Sequence, residues 1–206
     1  ASFALLAYVS AWLKCHHPAA FYVGLLNSQP MGFYSPSQLI QDARRHHIMV
    51  LPVDVNHSSW DHQILSSADQ QQPPIRLGLR LIKGLSEAAG QRIHTAQRQR
   101  AFANVADLRQ RACLDRGDME ALAAADALSG ISGNRYQSHW QTMALEAHRP
   151  LLPYDIAAQR SQDDAAVTAA PTLPEDVVAD YQSTGLTLRS HPLSLLRHQP
   201  PFDRCR

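Results

Sequence analysis

Cysteine is scarce in this sequence, and its distribution limits the class of protein. The three cysteines among 206 residues are Cys15, Cys113 and Cys205, and no two of them form a C-x-x-C pair. An odd number of widely separated cysteines argues against a disulfide framework and is typical of a reduced intracellular protein. We therefore predict a cytoplasmic location.

The sequence also lacks the short motifs that carry catalysis or nucleotide binding in many enzymes. It has no glycine-rich phosphate loop, no G-x-S-x-G nucleophile turn and no H-E-x-x-H zinc motif. Two histidine pairs, at 16–17 and 46–47, are the remaining metal candidates. Neighbouring residues on a helix face different directions, and no cysteine or acid stands at a ligand spacing from either pair. Surface or helix-end histidines are the favoured interpretation, and no metal is predicted to bind.

A long apolar run is missing as well. The most hydrophobic stretch, residues 2–14, ends at Lys14 and is shorter than the ~20 residues that span a bilayer. No methionine or basic region precedes it, which is unlike a signal peptide. A helix that is apolar on nearly every side needs burial on several sides. We therefore predict a buried helix whose partners lie outside this sequence, a protein fragment, and no association with a membrane.

What is present is the composition of a globular, mainly helical protein. Hydrophobic residues make up 45% of the chain and charged residues 18%, and the net charge is +1. Apolar spacing and capping residues predict helices at 2–14, 18–26, 36–45, 87–98, 104–112, 134–147 and 175–183. An alanine-rich helix is also predicted to follow a short turn at 114–115 and to end at residue 128. Strands are predicted at 48–51 and 75–79. The polar and proline-rich segments 66–74 and 148–174 are predicted to be linkers.

The most informative segment is LRLIKGLSEAAGQRI, residues 79–93. An apolar pair, a glycine–hydrophobic–small turn and a helix with an apolar anchor are typical of a helix-hairpin-helix element. Such a turn leaves backbone N–H groups without partners at the start of the second helix, where the helix dipole favours a phosphate oxygen. Gly84 would permit a close approach of the backbone, and Leu85 would pack between the helices. Contacts of this kind position a duplex without reading its sequence.

Local charge points to the same segment. Residues 76–100 contain six basic residues and a single acid, Glu87. The predicted DNA contacts are Arg80, Lys83, Gly84, Leu85, Ser86 and Arg92. A second candidate hairpin, at 112–117, lies in a more acidic stretch and is predicted to be mainly a packing partner. Serine at position 86 replaces the usual second glycine and could compete with phosphate for the same N–H. An ordinary turn between two helices is the alternative interpretation.

Beyond this motif, the sequence resembles the bacterial C-family DNA polymerases, the family of the DNA polymerase III alpha subunit. Residues 1–60 resemble the end of the polymerase fingers, and NSQPMGFYSPSQLIQDARRH followed by LPVDVN is most similar to the error-prone branch. IRLGLRLIKGLSEAAGQRI resembles the helix-hairpin-helix region that follows, and MEALAAADAL resembles its second half. DYQSTGLTLRSHPLSLL resembles the segment that leads toward an OB domain.

The resemblance implies how the chain is divided. The fold class would be mainly α: a helical fingers subdomain with a short β element, then a tandem helix-hairpin-helix domain and a flexible linker. The fingers would occupy residues 1–65 and a linker residues 66–74. The DNA-binding domain would occupy 75–147, and a second linker 148–174. Residues 175–206 would lead toward an OB domain that this sequence lacks.

The same resemblance implies a parent activity, DNA-directed DNA polymerisation by nucleotidyl transfer with Mg²⁺, in translesion synthesis and DNA repair. The family's catalytic aspartates lie upstream of the matching segment. No catalytic residue is therefore assigned, and the fragment alone is expected to be inactive and to bind no cofactor. The implied partners are double-stranded or primer-template DNA, the rest of the polymerase chain and accessory translesion proteins. Residues 148–174 have no glutamine-led clamp-binding motif, which argues against direct binding to a sliding clamp.

Two other functions remain open from the sequence. A free-standing helix-hairpin-helix module could bind DNA or scaffold repair without polymerase activity. A purely protein-binding helical module could be built from the same helices. An acidic palm motif upstream in the full gene would separate a polymerase segment from the first alternative. The absence of DNA affinity at low salt would favour the second.

Overall fold

The computed structural model of the protein describes residues 2–65, 72–144 and 169–197. The chain begins with the helices α1 (Ser2–His16), α2 (Pro18–Asn27) and α3 (Pro36–Arg45). Short strands follow: β1 (Val50–Leu51), β2 (Gln63–Ile64) and β3 (Ile75–Arg76), and then a 3₁₀ turn at Leu79–Leu81. The next helices are α4 (Glu87–Gln99), α5 (Val105–Arg111), α6 (Arg116–Ala124), α7 (Ser129–Ser132) and α8 (Arg135–Ala144). The described part ends with α9 (Leu173–Ser183) and α10 (Pro192–Leu196). The mainly α fold class with a short β element is confirmed.

Local capping signals place most helix starts correctly. Ser35 and Gln38 form a capping box in front of Pro36, and Asn104 Oδ1 accepts a hydrogen bond from the Asp107 amide at 2.8 Å. The alanine-rich helix ends at Ala124 and not at residue 128, because Asp126 takes a left-handed φ of 58° and closes it early. The prediction of that helix end is therefore wrong by four residues.

The first helix forms as predicted, its apolar side chains are largely exposed in this chain, and its burial by partners outside the sequence stays a prediction. The exposed fraction is 83% for Phe3, 65% for Leu6 and 67% for Tyr8. α1 packs mainly against α2, and Lys14 reaches Asp42 of α3 at 2.7 Å. An apolar surface of this kind on a helix is typical of an interface with another part of a protein.

A three-stranded sheet joins the N-terminal helices to the later part of the chain. β3 lies in the centre, with β1 parallel to it on one side and β2 antiparallel on the other. The strand predicted at 75–79 is shorter than expected, because the chain turns into the 3₁₀ segment at Leu79. The predicted boundary at 66–74 stays a prediction, and the sheet pairs residues from both sides of it.

One hydrophobic core extends across this sheet from Ala19 of α2 to Leu186 beyond α9. Trp60 is packed where the loop before β2 crosses α4. A Cβ added to Gly90 would lie 2.3 Å from the Trp60 ring, so glycine is required for this close contact. Trp60 therefore serves as a packing residue that fixes α4 against the sheet.

Some predicted segments lie outside the described residues. These are most of the linker at 66–74, residues 148–168 of the second linker, the last part of the helix predicted to residue 147, and residues 198–206. None of the helices in residues 2–65, 72–144 and 169–197 combines the length and the hydrophobicity that a membrane-spanning segment needs.

His62 connects the sheet to the 3₁₀ turn that precedes α4. Its side chain is buried, and Nδ1 accepts a hydrogen bond from the Gly78 amide at 3.1 Å. The Asn27 side chain binds the His62 backbone twice. Its Nδ2 donates to the His62 carbonyl at 3.0 Å, and its Oδ1 accepts from the His62 amide at 2.9 Å. Burial, reinforced by the Arg80 guanidinium and opposed by the Asp61 carboxylate, lowers the pKa of His62 to about 4. The ring is therefore neutral at pH 7 and acts as an acceptor.

We expect acid to destabilise the protein through His62 over a defined pH window. The unfolded histidine has a pKa near 6.5, so between pH 6.5 and pH 4 the unfolded chain binds more protons than the folded chain. The contribution of His62 is complete above pH 6.5 and is lost as the pH falls, by about 2 kcal/mol between pH 7 and pH 5. Urea unfolding of the wild type and of His62→Asn at these two pH values measures it. The asparagine oxygen can accept from Gly78 without titrating, and equal losses in both proteins would contradict the assignment.

Candidate nucleic-acid interface

The first hairpin comprises the 3₁₀ segment Leu79–Leu81, the turn at 82–86 and α4. Gly84 has a φ of 87°, which side-chain-bearing residues rarely adopt, and this reverses the chain in one step. Leu85 is then directed into the core, where it is 7% exposed. The Ser86 hydroxyl accepts a hydrogen bond from the Ala89 amide at 3.1 Å and begins α4.

This turn leaves the start of α4 open to an anion. The amides of Ser86, Glu87 and Ala88 donate to no acceptor within the part of the chain that the structure describes. Ser86, Glu87 and Ala88 are all exposed. Because α4 is 13 residues long, its dipole places partial positive charge at these amides. The arrangement can accept a phosphate oxygen, although the Glu87 carboxylate in the first turn opposes the binding of an anion.

The turn between α5 and α6 repeats the first turn in sequence order. Cys113 has a positive φ of 49°, in the place of Gly84. Leu114 is buried at 5% exposure, in the place of Leu85. Asp115 caps α6 by accepting from the Asp118 amide at 2.8 Å, as Ser86 caps α4. α5, this turn and α6 are the second hairpin, and the tandem pair of hairpins is confirmed.

Each turn is supported by the other hairpin. Arg92 of α4 donates Nε–H to the Ala112 carbonyl at 2.9 Å and pairs with the Asp118 carboxylate at 3.3 Å. In return, Ala121 of α6 is the nearest neighbour of Gly84, 3.9 Å from where a Cβ would lie. The two hairpins are therefore held together by reciprocal contacts between turn and helix.

Charge distinguishes the two otherwise similar turns. The cap of α4 is a neutral serine, whereas α6 has Asp115 at the cap and Asp118 in its first turn. Arg116 beside them is paired with Glu120 at 2.7 Å. A carboxylate at a helix N-terminus occupies the place where a phosphate would bind and repels it. The start of α4 has one acid, Glu87, whereas the start of α6 has two, so the first turn is the less negative of the two.

Two of the predicted basic residues have protein partners. Arg80 donates to the carbonyls of Asn27 and Gln29 and pairs with Asp61 at 2.8 Å. Arg92 ties the second turn to α4, as described above. Neither guanidinium lies free beside the turn, so their predicted contact with DNA stays a prediction. In the structure, Arg80 and Arg92 support the first hairpin through contacts with the rest of the protein.

Lys83 contacts the end of α9. Its amide donates to the Ser183 carbonyl at 2.9 Å. Its ammonium donates to the carbonyls of Tyr181 at 3.1 Å and Gln182 at 3.0 Å. Nearly 100 residues separate these partners in sequence, so periodicity and local motifs could not predict the contact. Lys83 thus serves as a C-terminal cap for α9.

A buried ionic network, which sequence reasoning missed, fixes α9 to α8 and to the segment that follows α6. Arg135 of α8 is 6% exposed and pairs with Asp176 at 2.8 Å and with Asp180. Arg189 pairs with Asp126, Asp176 and Asp180 at 2.9–3.1 Å. Burial raises the pKa of the Asp126 carboxyl, and the hydrogen bond from Arg189 opposes this rise. The charged residues themselves are visible in the sequence, but their spacing does not indicate which of them pair with one another.

The histidine pairs do not assemble a metal site among the described residues. No group of three or more histidine, cysteine, aspartate or glutamate side chains comes together there. His16 contacts the Trp12 carbonyl at 2.9 Å and stacks on the Trp12 ring. His46 lies 3.7 Å from Asp42, one helical turn away. These contacts are those of helix-end histidines.

Comparison with known proteins identifies a helix-hairpin-helix motif over residues 47–138. The whole chain is 52% identical to part of the error-prone DNA polymerase of Saccharophagus degradans and covers 20% of that protein. It is likewise 52% identical to the enzyme of the same name from Teredinibacter turnerae, covering 20% of it. The enzyme of the same name from Ralstonia nicotianae is 54% identical over the whole chain, which covers 19% of it. The chain spans about a fifth of the length of these curated relatives.

We expect substitutions at Gly84 and Cys113, the positive-φ residues of the two turns, to have opposite effects on the free energy of unfolding. Gly84→Ala should destabilise the chain by ~1–2 kcal/mol, because left-handed backbone is unfavourable for alanine. The nearest atom is 3.9 Å from the new Cβ, so a steric clash is not the cause. Cys113→Gly should be neutral or stabilising by up to ~1 kcal/mol. Urea denaturation measures both, and an unchanged midpoint for Gly84→Ala would contradict the role of φ.

Proposed function

We propose that this chain, which is homologous along its whole length to a segment of the bacterial error-prone DNA polymerases, gives such a polymerase a sequence-independent grip on duplex DNA. The contact is the N-terminal end of α4 in the first hairpin. One observation carries the proposal: the open amides of Ser86, Glu87 and Ala88, presented by a glycine turn behind an uncharged cap. Backbone amides at a helix N-terminus bind phosphate and cannot distinguish bases.

The predicted side chains take different parts in this proposal. Gly84 sets the turn, Leu85 anchors it in the core, and Ser86 begins α4 and lies beside the phosphate. Lys83 is exposed next to the turn and can add an ammonium contact when it is not engaged with α9. Arg80 and Arg92 act as positioning residues, because they hold the first hairpin to the N-terminal helices and to the second hairpin.

The remaining parts of the prediction concern the full-length polymerase. Nucleotidyl transfer, its Mg²⁺ and its catalytic aspartates would be supplied by parts of the polymerase outside this chain, in translesion synthesis and DNA repair in the cytoplasm. The exposed apolar side chains of α1 suit burial against the rest of that polymerase, whose fingers α1–α3 would help to build. A free-standing DNA-binding module is less well supported, because the relatives reported above are polymerases about five times as long.

A change of cap charge tests the proposed contact without removing the cap. Ser86→Asp should preserve α4, because aspartate is as good an N-cap as serine, but it places a carboxylate in the phosphate site. We expect at least a tenfold loss of duplex affinity at low salt. The slope of log affinity against log salt should fall in magnitude by about 0.9, because the added carboxylate cancels one unit of the positive charge that neutralises phosphates. Fluorescence anisotropy with two duplexes of unrelated sequence gives both quantities.

Two variants serve as matched controls. Ser86→Asn keeps a neutral cap and should bind within about twofold of wild type, since asparagine and serine cap equally well. Asp115→Asn keeps a cap on α6 but removes its charge, and binding should stay within about twofold of wild type because Asp118 still places a carboxylate at that helix end. Wild-type affinity in Ser86→Asp would contradict the proposed contact, and an effect confined to Asp115→Asn would move it to the second hairpin.

A further inference from the structure

The end of α9 and the proposed phosphate site share a single residue. Lys83 immediately precedes the glycine of the first turn, and it satisfies the carbonyls of Tyr181, Gln182 and Ser183 at the C-terminus of α9. A Cβ at Gly185 would lie 3.8 Å from Lys83 Cε, and Gly185 has a φ of 80°. The side chain of Lys83 thus passes close to Gly185, and its ammonium is held at the helix end.

We propose that docking of α9 restrains the DNA contact of the first hairpin by holding Lys83, and that release of α9 strengthens it. This inference rests on the proposed function and concerns the regulation of the same site. The C-terminal carbonyls of a helix carry about half a negative charge, so they stand in for phosphate as the partner of an ammonium group. A duplex phosphate carries a full charge and is the stronger partner once Lys83 is free.

The position of α9 depends on side-chain contacts and not on a short connection. Residues 145–172 lie between α8 and α9 in the sequence. The contacts that hold α9 are the Lys83 cap, the buried Val177, and the ion pairs of Arg135 and Arg189 with Asp176 and Asp180. Arg135 is buried among these groups, whereas the Arg189 side chain is 30% exposed. Arg189 is therefore the ion-pair partner that can be removed with the least disturbance of the core.

The relation between Lys83 and Arg189 can be tested with a double-mutant cycle on the 206-residue chain. Arg189→Ala should bind duplex DNA about two- to fivefold more tightly than wild type at low salt, which is the strength of a charge at a helix end. Its salt slope should increase in magnitude by about 0.9, corresponding to one added phosphate contact. Neither change should appear when Arg189→Ala is made in a Lys83→Gln background. Arg116→Ala removes the same charge from an exposed pair with Glu120 and should not tighten binding.

Hydrogen exchange at the Lys83 amide reports α9 release directly, because that amide donates to the Ser183 carbonyl. Exchange should accelerate in Arg189→Ala and stay unchanged in Arg116→Ala. Val177→Asp, at a buried position of α9, is a second release variant with the same expected pattern. Faster exchange without tighter binding in both release variants would overturn the inference, as would tightening that persists with Lys83→Gln. Failure of the wild-type chain to bind any duplex at low salt would instead overturn the proposed function.

Discussion

The left-handed backbone at Gly84 is the constraint on which the rest of the candidate interface depends. A φ of 87° turns the chain sharply enough to direct Leu85 into the core and to place Ser86 as the N-cap of α4. The first amides of any helix lack acceptors within it, and this turn leaves those of α4 exposed. An L-residue in this conformation costs ~1–2 kcal/mol, so the residue type and the exposed helix end are linked.

The second hairpin combines the same backbone geometry with negative charge at the helix start. Cys113 and Leu114 reproduce the backbone and the anchor, but Asp115 and Asp118 fill the helix N-terminus with negative charge. The carboxylates also serve the fold, because Asp118 receives Arg92 from the first hairpin. The two turns therefore differ in what their helix ends contact. The start of α4 exposes its amides to solvent, whereas Asp118 at the start of α6 binds Arg92 of the first hairpin.

Local features of the sequence predicted the turn and the helices α1 to α6, α8 and α9, but they did not predict β2, α7 or α10. Ser35, Asn104 and Gly84 each act through residues within a few positions, so their patterns could be recognised without a structure. Lys83, Arg80 and Arg189 act through partners that are distant in sequence, and a basic residue alone does not reveal whether it faces a phosphate or a carbonyl. Apolar spacing likewise shows that the surface of α1 needs burial, but it does not identify the partner.

The central claim is that duplex DNA meets the amides at the start of α4. Titration of the ¹⁵N-labelled chain with a short duplex, followed by amide chemical shifts, tests it most directly. The account predicts that the largest changes occur at Ser86, Glu87 and Ala88, with small changes at the corresponding amides of Arg116 and Gly117. Changes centred on Arg116 and Gly117, or spread evenly over the surface of the chain, would contradict it.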